Sequence, residues 1–243
     1  MGGIVSADVL VIGLGYVGLP LAIAAARSGF RVTGLDLNAE IVAGLMAGRS
    51  HVDDITDAEV AEMLSHGFRA TTDEAAAGPQ DVIVICVPTP LSEAAGPDLS
   101  AVRAATATAG RLLKAGTLVS LESTTYPGTT EEVLGPLLEK VSGLTAGIGF
   151  ALAFSPERID PGNPVYGFAN TPKIVGGLTP SCTDAAEAFY ARICDQVVRA
   201  RSAREAEMAK LLENTYRHVN IALVNEMAIF CRELDIDLWD AIR

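Results

Sequence analysis

The string Gly13-Leu-Gly15-Tyr16-Val17-Gly18 constrains this chain more than any other feature. It follows a short apolar run at residues 8–12 and opens a segment, residues 16–28, with Ala, Leu and Ile at helical spacing. Glycines in that position allow a tight turn, close approach of backbone to a pyrophosphate, and tight packing of helix on strand. The helix N-terminus adds free N–H groups and the positive end of a dipole. Asp36 closes the second apolar run, 36 − 18 = 18 residues beyond the last glycine, where a carboxylate meets the ribose hydroxyls. The glycine string alone is a weak signal and also occurs in unrelated α/β turns. With its flanking strand, helix and acid it predicts dinucleotide binding. Asp36 repels a 2′-phosphate and no Arg follows it, so NAD is expected over NADP.

The rest of the chain repeats this alternation. Strand-like runs at 31–36, 81–87, 117–121, 149–154 and 173–175 are separated by helical patterns at 39–46, 99–114, 129–140 and 183–193. Thr56-Asp-Ala-Glu59 is a capping box opening one more helix. Residues 161–172 read as a Gly/Pro/Asn-rich loop. This order predicts an α/β protein with a doubly wound, Rossmann-type, mostly parallel sheet. From about residue 203 to 235 there is neither Pro nor Gly, and apolar residues recur at Met208, Leu211, Leu212, Val219, Leu223, Met227 and Phe230. A long central α-helix on the order of 48 Å is expected there, serving as connector or subunit interface. The division is a nucleotide-binding domain at 1–200 and the start of a helical dimerisation domain at 201–243.

Charge excludes some partners. With 18 basic and 30 acidic residues the net charge is −12, and there is no basic run. Neither a nucleic acid nor an anionic membrane is an expected partner. No stretch reads as a signal peptide or a membrane span. Four cysteines without C-x-x-C spacing and three scattered histidines predict a cytoplasmic protein with reduced thiols and no metal site.

Four further strings carry chemistry. Val87-Pro88-Thr89-Pro90 and Ser123-Thr124-Thr125-Tyr-Pro-Gly128 each end a strand, where ligands of open α/β sheets bind; equally, Thr89 and Thr124 would serve as helix caps. Ser155-Pro-Glu157-Arg158-Ile-Asp160-Pro161-Gly162-Asn163 crowds two carboxylates beside an Arg, suited to acid–base work or to a salt-bridged loop. On the long helix Lys210 and Asn214 are i and i+4, with Arg217 and His218 one turn on. A solvated polar face is the plain alternative.

Taken in order, Val11-Ile-Gly-Leu-Gly-Tyr-Val-Gly-Leu-Pro20, Val-Pro-Thr-Pro, Ser-Pro-Glu-Arg and Lys-Leu-Leu-Glu-Asn-Thr-Tyr resemble the NAD-dependent nucleotide-sugar 6-dehydrogenases that act on UDP-glucose, UDP-N-acetylhexosamines or GDP-mannose. The resemblance implies two-step oxidation of a sugar C6 alcohol to the carboxylate with two NAD. It implies cofactor contacts at Gly13, Gly15, Tyr16, Val17, Gly18 and Asp36, with Pro88, Thr89 and Thr124 on the cofactor side. Thr124 resembles the threonine that works with a water near the reacting carbon, and Glu157 the carboxylate that activates water for thioester hydrolysis. Lys210 and Asn214 resemble the pair that stabilises the oxyanion. Arg158, Arg217 and His218, with Glu157, Lys210 and Asn214, fall on the substrate side. A homodimer through the long helix is implied as well.

Two departures stand out. The glucose-oxidising branch places a second Glu four residues after the first, where this chain has Pro161 beside Asp160, a string closer to the N-acetylhexosamine branch. The nucleophilic Cys of a Gly-Gly-x-Cys-x-Pro segment has no counterpart. The chain therefore resembles the amino-terminal half of such an enzyme. A β-hydroxyacid or 6-phosphogluconate-type dehydrogenase is the rival enzyme, and a non-catalytic NAD-binding dimerisation module the rival outside enzymes.

Overall fold

A computed structural model describes residues 7–91, 96–158 and 167–243. Its first strand, β1 (Asp8–Ile12), is apolar at consecutive positions because both faces of the sheet are covered. Val9 and Val11 point into one core cluster and Leu10 and Ile12 into the other. The same split recurs along β4 (Gln80–Ile85), with Val82 and Val84 on one side and Ile83 and Ile85 on the other.

Between these strands run α1 (Gly18–Arg27), β2 (Arg31–Leu35), α2 (Ala39–Met46), α3 (Asp57–Ser65) and β3 (Arg69–Thr71). Both halves of the Thr56–Glu59 capping box form at the start of α3. After β4 come α4 (Ser100–Leu112), β5 (Leu113–Leu121), α5 (Gly135–Ser142), β6 (Ala151–Phe154), β7 (Lys173–Gly177), α6 (Pro180–Tyr190) and β8 (Val197–Arg199). The eight strands pair in the order β3-β2-β1-β4-β5-β6-β7-β8. Every neighbouring pair is parallel except β6 with β7. The strand order reverses between β1 and β4, the switch point where an open α/β sheet leaves a crevice.

Several details differ from the sequence reading. The short strands β3 and β8 carry too little apolar pattern to be foreseen. The helix expected at 129–140 begins as a π-turn, Thr130–Leu134, before continuing as α5. Helix α6 starts three residues earlier than expected, because Thr179 caps it and Pro180 fits its first turn. The antiparallel β7 was not expected, and it places Lys173 beyond Phe154 at the carboxyl edge of β6. Asp160 and residues 161–166 of the 161–172 loop lie outside the described residues.

The long helix α7 (Ala203–Glu233) spans 31 residues, about 46 Å at 1.5 Å per residue. Ser202 caps it by accepting from the Arg204 N–H. Its first turns are docked through buried Ala203, Ala206 and Glu207, whereas residues 221–230 are all exposed. A short α8 (Leu238–Ile242) follows. Among the described residues no helix is long and apolar enough to cross a membrane.

Candidate active site

Turns after five strands, β1, β2, β4, β5 and β6, lie at the carboxyl edge of the sheet. After β1, Gly13 has φ +91°, and a Cβ there would lie 2.6 Å from the Cys86 carbonyl oxygen. A Cβ on Gly18 would lie 1.8 Å from the Gly13 carbonyl oxygen, so helix and turn pack at a distance only glycine allows. Gly15 meets nothing within 4 Å, leaving bare backbone open to an approaching phosphate. Helix α1 begins there with no side-chain cap and no acid in its first turn, so the positive dipole end stays uncompensated. Tyr16 is exposed beside it. The Asp36 carboxylate accepts from Leu14 N–H at 2.8 Å and Asn38 N–H at 2.9 Å. It is thereby fixed beside the glycine turn, with lone pairs left for ribose hydroxyls. These residues fit a dinucleotide.

After β4 and β5 the two threonine turns are joined, the Thr89 hydroxyl donating to the Thr124 carbonyl at 2.7 Å. Neither threonine caps a helix, since α4 follows Leu99 and the π-turn follows Thr129. After β6, Glu157 accepts from the Arg158 N–H at 2.6 Å through Oε1, and its Oε2 lies 3.9 Å from Lys173 Nζ. The Arg158 guanidinium donates to Glu213 at 3.0–3.4 Å and to the Pro172 carbonyl at 3.0 Å, tying this turn to α7.

From α7, Lys210 reaches the same ground. Its Nζ lies 4.0 Å from Glu213 Oε2, and its side chain is mostly buried. Burial pulls its pKa below the ordinary lysine value, Glu213 and Glu157 oppose that, and Arg217 and Arg158 add to it. Asn214 is half-buried one turn on, while Arg217 and His218 are exposed.

Two buried groups at this edge were not legible in the sequence. The Glu207 carboxylate accepts from Gly128 N–H at 2.5 Å, Thr130 N–H at 2.8 Å and the Thr130 hydroxyl at 2.7 Å. Burial pushes its pKa up while those hydrogen bonds pull it down. It pins α7 to the turn that carries Thr124. The second is Lys173, paired with fully buried Glu122 at 2.7 Å. Glu207 stands three residues before Lys210, which marked its helix face. Nothing marked either carboxylate or the ammonium as buried.

All four cysteines are free and buried. Burial pushes the Cys86 thiol well up and the Cys194 thiol up to about 12, so neither is a ready thiolate. No cluster of three or more His, Cys, Asp or Glu among the described residues is placed to hold a metal.

The chain is similar to known proteins along nearly all its length. Residues 7–194 match the UDP-glucose/GDP-mannose dehydrogenase family, NAD binding domain, and residues 204–243 match the central domain of that family. It is 39% identical to a UDP-N-acetyl-D-mannosamine dehydrogenase of Pyrococcus horikoshii, over 96% of this chain and 56% of that protein. It is 38% identical to a UDP-N-acetyl-D-glucosamine 6-dehydrogenase of Pseudomonas aeruginosa, over 94% of this chain and 54% of that protein. Among solved structures, the UDP-D-ManNAc dehydrogenase of Pyrococcus horikoshii gives a TM-score of 0.90 at 38% identity, covering 97% of this chain and 56% of that one. A GDP-mannose dehydrogenase ternary complex from Pseudomonas aeruginosa gives 0.88 at 26% identity, covering 96% and 55%. The chain thus spans about half the length of the relatives it matches. It belongs to the UDP-glucose/GDP-mannose dehydrogenase family and contains that family's NAD-binding domain with a stretch of its central domain.

Proposed function

We propose that this chain is the NAD-holding half of a nucleotide-sugar 6-dehydrogenase that oxidises the C6 alcohol of a UDP- or TDP-linked hexose or N-acetylhexosamine to the uronate. The observation that carries this reading is the meeting, at one sheet edge, of Asp36 and the glycine turn with Thr124, Glu157 and Lys210. NAD, when bound, takes a hydride in each of two oxidations, and two NADH and the acid result. Gly13, Gly15, Tyr16, Val17, Gly18 and Asp36 hold its adenosine diphosphate, while Pro88, Thr89 and Thr124 border its nicotinamide.

Lys210 and Asn214 donate to the oxygen as it becomes an oxyanion, work suited to a fixed cation and an amide. Thr124 holds a water near the reacting carbon. Glu157 takes a proton from water as the water oxygen bonds to the thioester carbon and the C–S bond breaks, releasing thiolate. The thiol is supplied from outside residues 1–243, as is most of the nucleotide site. Arg158, Arg217 and His218 are the sugar or phosphate contacts on this side. The order Ser-Pro-Glu-Arg-x-Asp-Pro-Gly and the names of the relatives favour an N-acetylhexosamine. The exposed apolar residues of α7 are assigned to a two-fold contact between subunits.

The test is NADH release from UDP-glucose, TDP-glucose and UDP-N-acetylhexosamines. A longer chain that includes a Gly-Gly-x-Cys-x-Pro segment should give two NADH per sugar with one of these. Residues 1–243 alone should give none. Uronate formed by residues 1–243 would show that the nucleophile is misplaced.

A further inference from the structure

The scheme above leaves a buried ion pair, Lys173 with Glu122, unused. The Lys173 ammonium is 5% exposed, donates to Glu122 Oε2 at 2.7 Å and lies 3.9 Å from Glu157 Oε2. The rings of Phe168 and Tyr190 flank it at 5.3 Å and 5.2 Å. Glu122 is itself held from the other side, because the Tyr190 hydroxyl donates to its Oε1 at 2.7 Å and pairs with Ser120 Oγ at 2.9 Å. Two carboxylates therefore share one ammonium, Glu122 fully buried and Glu157 mostly buried.

Stability alone does not explain such a group. A buried ion pair is costly to desolvate, and well-packed apolar side chains of similar volume often serve a fold as well or better. Buried charges retained beside a site are a common mark of that site's chemistry. The topology also aims Lys173 at the site, since β7, with β8 parallel to it, runs against the rest of the sheet and so begins, rather than ends, at the carboxyl edge of β6.

We propose that Lys173 is a positioning residue: braced by Glu122 and Tyr190, its ammonium orients the Glu157 carboxylate toward the water that attacks the acyl carbon. The inference rests on the assignment of Glu157 to water activation. It has a step-selective consequence, because in that scheme the two hydride removals do not use Glu157. Only the step in which water loses a proton to Glu157, its oxygen bonds to carbon and thiolate leaves depends on it.

The experiment uses the full-length chain, saturating NAD and the sugar nucleotide it oxidises, with rapid-mixing and steady-state NADH measurements. Lys173→Met should give a fast burst of two NADH per site, then a steady state at least 10-fold slower than the parent, with NAD affinity unchanged. Lys173→Arg should restore part of the steady-state rate. The double variant Lys173→Met/Glu122→Gln removes both buried charges, so its Tm should return toward the parent while its turnover stays slow. Burst and steady state falling together, an unchanged steady state in Lys173→Met, or turnover recovering with Tm in the double variant would each overturn the proposal. Glu157→Gln separates it from the reading beneath it. An intact burst with slow turnover supports the role of Glu157, and a lost burst removes that role and the Lys173 proposal with it.

Discussion

The sheet and the far half of α7 are both rich in apolar residues, yet one is buried and the other is not. Val9, Leu10, Ile83, Ile85 and Leu121 are fully covered by helices from the same chain. Leu212, Val219, Leu223 and Phe230 on α7 are each more than half exposed. Composition does not separate the two regions; the availability of cover within the chain does. The catalytic candidates sit at the junction. Lys210 and Asn214 belong to the last turns of α7 that still touch the sheet edge, just beyond the Glu207 anchor. The sheet is built to hold a cofactor by itself, and the helix is built to bring in what the sheet lacks.

The sharpest test of that division separates chemistry from cofactor binding. In a longer, active chain, Lys210→Ala should lower kcat by roughly 10²–10³-fold, the scale of losing one oxyanion donor, with little change in NAD affinity. Because burial lowers the Lys210 pKa, its cation is lost as pH rises through a value below that of an ordinary lysine. The alkaline limb of kcat should lie correspondingly low, and Lys210→Arg, which stays charged, should move it up. A parallel fall in NAD affinity would break the comparison.

Gly18→Ala attacks the sheet side. Its Cβ meets the Gly13 carbonyl oxygen at 1.8 Å, so turn and helix must part, at about 3 kcal/mol of stability and most of the NAD affinity. Thermal unfolding and titration check both. Glu207→Ala attacks the anchor between the regions. It leaves Gly128 and Thr130 N–H groups without their carboxylate and should cost about 2 kcal/mol, seen as faster hydrogen exchange in the first turns of α7 than in β1 or β4. Phe230→Asp should change the stability of the folded chain least, by under about 0.5 kcal/mol, yet convert the proposed dimer to a monomer by sedimentation. A dimer that survives this change would locate the contact elsewhere.

Much of this was readable beforehand, for physical reasons that differ by element. The tight turn at Gly13 and the Thr56 capping box are local devices, set by residues close in sequence. The length of α7 followed from the lack of Pro and Gly. What sequence did not carry was burial of charge. Glu122, Lys173 and Glu207 are ordinary surface residue types, and only chain crossings 51 to 79 residues apart bring them their partners. The direction of β7 was hidden for the same reason, because a five-residue apolar strand reads alike in either orientation.

The central claim, that these residues form an NAD site with the carboxylate of Asp36 on the ribose, is tested most directly by calorimetric titration of residues 1–243. The predicted result is one NAD bound per chain, clear preference over NADP, and a weaker affinity with a narrower gap in Asp36→Ala. Equal affinity for NAD and NADP, or an Asp36→Ala variant indistinguishable from the parent, would contradict it.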